Sequence, residues 1–393
     1  MLKKNLNASY FSRICAVIAM AALCALFVRR ASGFYTVKFS ELKSNIESQF
    51  ATPPKDDFLK NMFWDYLKHT NRNAANGVII MNDGRLVLER ISAPPLLAER
   101  AEIIIELSDY LQAQNTPFLF LRAPDPMRDN ADMPKGFENT VIEDGARFLS
   151  LLNDGGVDAL DLRAEMTKDY EDFSDTFYWG DHHWNVEGAL WAFGKVGAIM
   201  NRDYSFQLDK RTWNPQEYEH ITLNEAFIGY ASNRVGRIKE DITVLIPKFD
   251  TNFVISNKFL DGSHQDEGKT LAFGSFLDVF APAAKDRNKT SFSYENLNVV
   301  GSGLIKQYVN LAIKEDKKVL LLSDSFAYPF VTYLATAVKN VDYLYLAYRE
   351  NQRIYSMLKN KKYDLVLYLA YDGTILEGGT DIEKDRMYLG EPH

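Results

Sequence analysis

Short apolar runs alternate with helix-length amphipathic segments over most of this chain. The runs expected to form strands are Phe118–Leu121, Val157–Leu162, Val319–Leu322, Tyr343–Leu346 and Leu365–Leu369. Helices are expected among them, at Leu96–Gln112, Val141–Leu152 and 185–200. Short apolar strands that alternate with helices form a mainly parallel sheet covered on both faces. The pattern therefore predicts one large α/β domain.

Two stretches depart from this alternation. Two β-rich runs surround Asn82-Asp83-Gly84 within Gly77–Glu89, which indicates a hairpin. Residues 201–300 carry strand-like runs such as Ile242–Ile246 and few helical patterns. We therefore expect a helical linker region at 34–75, followed by a single domain at 76–393 with a strand-rich insertion at about 201–300.

Residues 1–33 have the layout of an export signal, with basic residues before an uncharged run of fifteen residues, Ile14–Val28. As a helix this run rises about 22 Å, somewhat less than the ~30 Å hydrocarbon core of a bilayer. Arg29 and Arg30 follow it directly and disfavour cleavage at Ala31-Ser32-Gly33. We expect an uncleaved signal anchor, with a cleaved signal peptide as the alternative. The positive-inside rule then places the rest of the chain outside the cytoplasm, in the periplasm or at the cell surface.

Charge and cysteine content exclude several functions for the remainder of the chain. The net charge is -8, and residues 1–33 contain five basic and no acidic side chains, so residues 34–393 carry -13. A body this acidic repels phosphate backbones and makes nucleic acid a poor partner. Both cysteines, Cys15 and Cys24, lie in the first segment. Residues 34–393 therefore have no thiol chemistry, disulfide or zinc–cysteine site.

In parallel sheets, reactive groups collect at the carboxyl ends of the strands and in the loops beside them. The first such loop is Tyr178–Asn185, in which Asn185 is expected to cap the helix that follows. In an extended chain, positions i and i+2 project to the same side, so Asp181 can accept a hydrogen bond from one ring nitrogen of His183. A general base held in one tautomer needs that arrangement. His182 is expected to point the opposite way.

The second such loop follows the strand that ends at Leu322 and reads Ser323-Asp324-Ser325-Phe326, with a helix expected to begin near Pro329. A serine in a strand-to-helix turn has backbone N–H groups beside it that can stabilise an oxyanion. Each loop also has a structural interpretation. Ser-Asp is a common helix-capping sequence, and the Asp-His-His triplet fits a catalytic pair, a metal site or a hydrogen-bonded turn. Together the two loops supply all members of a hydrolase-type triad.

These residues also carry a family resemblance. Asp181-His182-His183-Trp184, followed well over one hundred residues later by a strand and Ser323-Asp324-Ser325-Phe326, resembles the DHHW proteins. Those proteins belong with the alginate O-acetyltransferase proteins of the SGNH (GDSL-type) hydrolase superfamily. The hairpin, the strand end Leu119–Pro124 and the closing strand Tyr363–Ala370 come in the family's order, so the resemblance covers most of residues 75–375. It implies an SGNH-hydrolase-like three-layer α/β sandwich in which, as here, the Asp-x-His pair precedes the serine, a permuted order.

The resemblance implies a role for three residues of the two motifs. Ser325 would be the nucleophile and its backbone N–H an oxyanion donor, His183 the general base, and Asp181 the residue that orients His183. Trp179, Trp184 and Tyr328 are candidate platforms for sugar rings, although aromatic residues at such positions more often pack in the core. The implied activity is transfer of an acetyl group to hydroxyls of an exported polysaccharide, or hydrolysis of acetyl esters. No cofactor or metal is implied, and a membrane-bound O-acyltransferase is the implied partner that delivers the acetyl group.

Two other functions remain open. One is a non-catalytic subunit that binds or assembles polysaccharide on the same scaffold. The other is a metal-dependent phosphoesterase, for which Asp158 and Asp161 lie nearby in the sequence as additional carboxylates. That chemistry needs further aspartates at strand ends to hold two metals, and upstream Asp-x-Asp clusters are absent from the sequence.

Overall fold

The computed structural model describes most of the chain beyond residue 63. The described residues are 64–65, 67–69, 72–89, 96–129, 132–137, 140–236, 238–258, 270–285, 294–297, 305–346, 354–376, 381–382, 385 and 387–390. The signal anchor expected at 1–33 and most of the helical region expected at 34–75 lie outside them. Within the described ranges, no helix is both long enough and apolar enough to cross a bilayer.

The strands and helices follow one another in the alternating order that the sequence predicts. The strands are β1 Ala74–Ala75, β2 Val78–Ile80, β3 Leu86–Leu88, β4 Phe118–Ala123, β5 Ala159–Asp161, β6 Tyr218–Phe227, β7 Glu240–Pro247, β8 Phe253–Lys258, β9 Thr270–Gly274, β10 Ile305–Asn310, β11 Lys318–Ser323, β12 Asn340–Tyr345 and β13 Leu365–Tyr371. The α-helices are α1 Leu97–Ala113, α2 Val141–Asp154, α3 Leu162–Asp169, α4 Val186–Asp203, α5 Tyr230–Val235, α6 Phe276–Val279, α7 Ala327–Ala337, α8 Ile354–Asn360 and α9 Asp372–Ile375.

Eight strands form the central sheet, in the order β5-β4-β13-β11-β12-β10-β8-β9. The first five run parallel, and β10, β8 and β9 each pair antiparallel with the preceding strand. The sheet is thus mainly parallel, as predicted. Because β4, β13 and β11 are adjacent and parallel, the residues that follow them meet at one edge of the sheet.

Both faces of the sheet are covered, which gives the α/β sandwich that the sequence predicts. On β11, Val319 and Leu321 point into one hydrophobic core with α4 and α7, while Leu320 and Leu322 point into a second core with α1, α2 and α8. All four side chains are fully buried. A continuous apolar strand results because each face of the sheet needs its own alternate residues.

Smaller sheets flank the central one. The predicted hairpin is present as β2 and β3, which pair antiparallel, with β1 added at its edge. In residues 201–300, β6 and β7 form a separate two-stranded sheet, whereas β8 and β9 extend the central sheet. This stretch therefore contributes both to the core and to a unit beside it.

Candidate active site

The loop from Trp179 to Trp184, here called the Asp-His-His loop, is closed by backbone contacts at its base. Phe177 and Trp184 form an isolated β-bridge, and the Tyr178 N–H donates to the carbonyl of His183 over 3.2 Å. Asn185 then caps α4 as predicted, because its side chain accepts from the N–H groups of Glu187 and Gly188. The loop therefore emerges at a fixed point beside the N-terminus of a long helix.

The turn from Asp324 to Phe326, here called the Ser325 turn, connects β11 to α7. Asp324 is buried; its Oδ1 accepts from the Phe326 N–H at 2.9 Å and its Oδ2 from the Tyr371 N–H at 3.0 Å. The carboxylate thus ties the turn to the end of the neighbouring strand β13. Helix α7 begins at Ala327, two residues before the predicted start at Pro329. Proline is tolerated in the first turn of a helix because N–H groups there have no intrahelical acceptor.

The two loops meet in one continuous row of hydrogen bonds. The His183 Nε2 lies 2.7 Å from the Ser325 Oγ, and the His183 Nδ1 lies 2.6 Å from the Asp181 Oδ1. Asp181 and His183 are buried, and Ser325 is partly exposed. With Nδ1–H donating to the carboxylate, Nε2 is left as an acceptor for the serine hydroxyl. The arrangement can remove a proton from Ser325 and return it.

Burial and neighbouring charges shift the ionisation of both partners. Burial, reinforced by His182, lowers the pKa of His183 to about 4, against the opposite effect of the Asp181 carboxylate. Burial alone raises the pKa of Asp181, but interactions with His183 and His182 outweigh it and hold that pKa well below the usual range. At neutral pH the pair is therefore a carboxylate and a neutral imidazole, the form in which a histidine accepts a proton.

His182 does not point away from His183, contrary to the sequence prediction. The two imidazole rings lie 3.9 Å apart, and the His182 Nδ1 is 3.2 Å from the Asp181 Oδ1. The alternation of an extended chain does not apply because the loop is a turn, in which the Asp181 Oδ1 also accepts the N–H of His183 at 3.1 Å. An aspartate that bonds the backbone two residues ahead is a common turn former.

Aromatic rings cover the imidazole of His183. Tyr294 stacks on it with ring centroids 3.8 Å apart and an interplanar angle of 15°. The ring of Phe326 also contacts the imidazole, with ring centroids 5.0 Å apart. The Phe326 carbonyl accepts a hydrogen bond from the indole N–H of Trp184 at 2.9 Å. The Trp184 bond joins the Asp-His-His loop directly to the Ser325 turn. These contacts hold the ring plane and exclude water from it, which explains the strong effect of burial.

The three predicted sugar platforms lie in different environments. Trp184 has no exposed surface, so in this structure it links the two loops and presents no face to a ligand. Trp179 is 37% exposed and rests on Gly84, where an added Cβ would lie 3.0 Å from the indole. Tyr328 is half-buried and packs between Tyr294 and Tyr345, with ring centroids 5.7 and 5.8 Å away. Trp179 and Tyr328 thus retain some accessible surface near the site.

Residues from the segment after β6 also hold the Asp-His-His loop, and no sequence pattern marks them. The Tyr230 N–H donates to the Asp181 Oδ2 at 2.6 Å, and the Ser232 N–H donates to the Gly180 carbonyl at 2.9 Å. From β7, the Glu240 Oε2 and Oε1 accept the N–H groups of Trp179 and Gly180 at 2.8 and 3.0 Å. The approach is so close that a Cβ on Gly180 would lie 1.7 Å from the Ser232 Oγ.

Asp181, His182 and His183 form the one group of described residues with the side-chain chemistry and spacing to hold a metal ion. Both ring nitrogens of His183 are already engaged, with Asp181 and Ser325. Asp161, considered above as an additional ligand, caps α3 and faces Arg122 at 3.2 Å instead. These contacts favour the hydrogen-bonded row over a two-metal centre.

The fold is an α/β sandwich with a mainly parallel central sheet, and in it Asp181, His183 and Ser325 form one row of hydrogen bonds. Residues 85–233 match the family model described as "SGNH hydrolase-like domain, acetyltransferase AlgX". That segment includes Asp181 and His183, and Ser325 lies beyond it. The match confirms the family resemblance that the sequence indicates. No curated protein matches the chain significantly.

Solved structures show the same fold. Bacillus cereus PatB1 with a sulfonyl adduct is similar at a TM-score of 0.63 and 19% identity, over 80% of this chain and 100% of that one. A DHHW family protein from Eubacterium siraeum DSM 15702 is similar at a TM-score of 0.59 and 16% identity, over 80% of this chain and 95% of that one. At these identities the similarity concerns the fold.

Proposed function

We propose that this protein is an extracytoplasmic SGNH-type O-acyltransferase that moves acetyl groups to hydroxyls of an exported polysaccharide through an acyl-enzyme. The observation that carries the proposal is the unbroken contact from Asp181 through His183 to Ser325. The matched family model, whose description names an acetyltransferase, supports the reaction class. With water as the acceptor, the same residues make an acetylesterase.

In the first half of the reaction, the Ser325 Oγ attacks the carbonyl carbon of the acetyl donor while its proton passes to the His183 Nε2. The backbone N–H of Ser325 is the proposed donor to the oxyanion. When the tetrahedral intermediate collapses, the bond to the leaving group breaks and His183 gives that group the proton. Asp181 keeps the Nδ1 proton in place and stabilises the imidazolium that forms transiently.

In the second half, a sugar hydroxyl replaces the leaving group. His183 takes the hydroxyl proton, the sugar oxygen attacks the acyl carbon, and the Ser325 Oγ leaves and regains a proton from His183. Transfer rather than hydrolysis requires an acceptor that is held close while water is kept out. Trp179 and Tyr328 are the proposed contacts for sugar, and a membrane-bound O-acyltransferase is the proposed source of acetyl groups.

Turnover of p-nitrophenyl acetate by the full-length chain tests this function. We expect release of nitrophenol by the parent protein and a loss of about 1,000-fold or more in His183→Ala, since the serine then lacks its base. Ser150→Ala, an exposed serine of α2, serves as the control and should match the parent. A folded parent protein without turnover would instead favour the polysaccharide-binding or assembly subunit.

A further inference from the structure

Two exposed aromatic side chains lie at the Asp-His-His loop, one within it and one beside it. Among the described residues, large hydrophobic side chains are exposed at four positions: Trp179, Tyr230, Phe273 and Leu311. Trp179 is the first residue of the loop, and Tyr230 donates its backbone N–H to Asp181. Exposed apolar surface that collects at a catalytic site usually contacts a ligand.

The ring of Tyr230 lies close to the catalytic row. It meets the ring of His182 edge-on, with centroids 6.1 Å apart, and His182 lies 3.9 Å from His183. His183 in turn contacts the Ser325 Oγ. Half of the Tyr230 side chain is exposed to solvent, at 50%. An aromatic ring is therefore available to a molecule that reaches Ser325 from the Tyr230 side.

The Tyr230 ring is also held in place before any ligand arrives. The Arg234 guanidinium lies 4.7 Å from the ring centroid, and its Nη2 donates to the Tyr230 hydroxyl at 2.8 Å. Arg234 is held by Asn76, whose carbonyl accepts from the guanidinium and whose amide donates to the Arg234 carbonyl. A ring fixed in advance loses little rotamer freedom on binding, so more of the contact energy appears as affinity.

We propose that Tyr230, held by Arg234, is a stacking platform for a sugar ring of the acceptor at the rim of the active site. The inference rests on the proposed function and assigns the acceptor subsite within it. An acetyl group is too small to need a ring-sized platform, whereas the C–H face of a pyranose matches an aromatic face in size and polarity. Because the Tyr230 oxygen accepts from Arg234, the phenolic hydrogen is free to donate to a sugar hydroxyl.

The test compares two acceptors for the same acyl-enzyme. The full-length protein is incubated with p-nitrophenyl acetate and either methanol or a panel of cellotetraose, xylotetraose and chitotetraose, and acetylated products are quantified by mass spectrometry. Methanol has no ring to stack. We expect Tyr230→Ala to lower the ratio of sugar to methanol acetylation about five- to ten-fold, the usual effect of one aromatic contact, and Tyr230→Phe to keep most of it.

Phe273→Ala is the matched control, because Phe273 is a large exposed aromatic residue on β9 and not part of the site. It should leave the ratio unchanged. A ratio in Tyr230→Ala within two-fold of the parent overturns the platform, and so does a parent protein that acetylates methanol but none of the sugars. A parent protein that forms no acyl-enzyme contradicts the proposed function itself, and the platform with it.

Discussion

At the scale of single residues, we expect the charge state of His183, the proposed general base, to decide when the proposed site is active. A general base works only when it is deprotonated. Burial and His182 lower the pKa of His183 to about 4, so the imidazole is neutral across the physiological range. The usual histidine loses half of its basic form near pH 6.5. The acidic limb of activity should therefore lie well below that pH.

We predict that kcat/KM for p-nitrophenyl acetate is nearly constant from pH 7.5 down to about 5.5 and falls below it, with a midpoint near 4. An unperturbed histidine would already have lost roughly nine-tenths of the activity at pH 5.5. Initial rates in buffers of constant ionic strength measure the profile, and circular dichroism at each pH shows whether the protein is folded. A midpoint near 6.5 in folded protein would contradict the buried, neutral imidazole.

The contact between the two histidines gives a second prediction. Next to burial, the charge of His182 is the largest influence that lowers the pKa of His183. In His182→Gln that influence is gone, so the pKa of His183 rises and the acidic limb moves to higher pH. The pH profile of kcat/KM for the variant measures the displacement. His69→Gln, an exposed histidine outside the site, is the control and should reproduce the parent profile.

At the scale of elements, the position of Asp181 depends on a segment far away in the sequence. Tyr230 and Glu240 hold the loop through its backbone and through the carboxylate, from the start of α5 and of β7. The two segments pack so closely that a side chain at Gly229 does not fit, since a Cβ there would lie 2.2 Å from the Gly180 carbonyl oxygen. The β6–α5–β7 unit therefore supports the Asp-His-His loop.

We predict that Glu240→Gln lowers kcat about 10- to 100-fold with little change in KM, since displacements of about 1 Å at a catalytic group have effects of this size. The amide keeps one acceptor oxygen, and its NH2 group faces one of the two backbone N–H donors that the carboxylate accepts. Steady-state kinetics measure the split between kcat and KM. Glu219→Gln, exposed on β6, is the control. Equal kcat values in both variants would show that Glu240 does not position the loop.

Local patterns could predict the three residues of the row but not what surrounds them. Asp181 and His183 are two residues apart, and Ser325 follows a strand whose apolar run marks its end. Tyr230 reaches Asp181 from 49 residues further along the chain, and Tyr294 comes from a short 3₁₀ turn with no periodic signal. Contacts of that range follow from the packing of whole elements. The sequence likewise marks Trp184 as part of the motif. The hydrogen bond from its indole N–H to the Phe326 carbonyl depends on the assembled fold.

At the scale of the whole molecule, a buried ion pair links neighbouring strands of the central sheet next to the site. On β4, the Arg122 Nε donates to the Asp372 Oδ1 at 2.6 Å, and Asp372 directly follows β13. Both side chains are almost fully buried. The Arg122 Nη2 donates to the Asp372 Oδ2 at 3.2 Å, and Asp161, at the end of β5, adds a third contact to the same guanidinium at 3.2 Å. Three strand ends are thus joined through one arginine.

We predict that Asp372→Asn lowers the free energy of unfolding by about 3–5 kcal/mol, because a buried guanidinium loses its main counter-charge. Urea denaturation followed by circular dichroism measures the change. The control is Asp203→Asn, whose ion pair with Arg202 is exposed on the surface. We expect Asp203→Asn to unfold at the same urea concentration as the parent protein. An equally small shift in Asp372→Asn would mean that the Arg122 contact is not essential to the sheet.

The most direct test of the proposed chemistry is the mass of the intact protein after brief incubation with p-nitrophenyl acetate and an acid quench. We expect a species heavier by one acetyl group in the parent, with the modification mapped to Ser325 by peptide analysis. The same species should be absent in Ser325→Ala and present in Ser150→Ala. Folded parent protein that gains no acetyl group, or acetylation that persists in Ser325→Ala, would contradict Ser325 as the nucleophile.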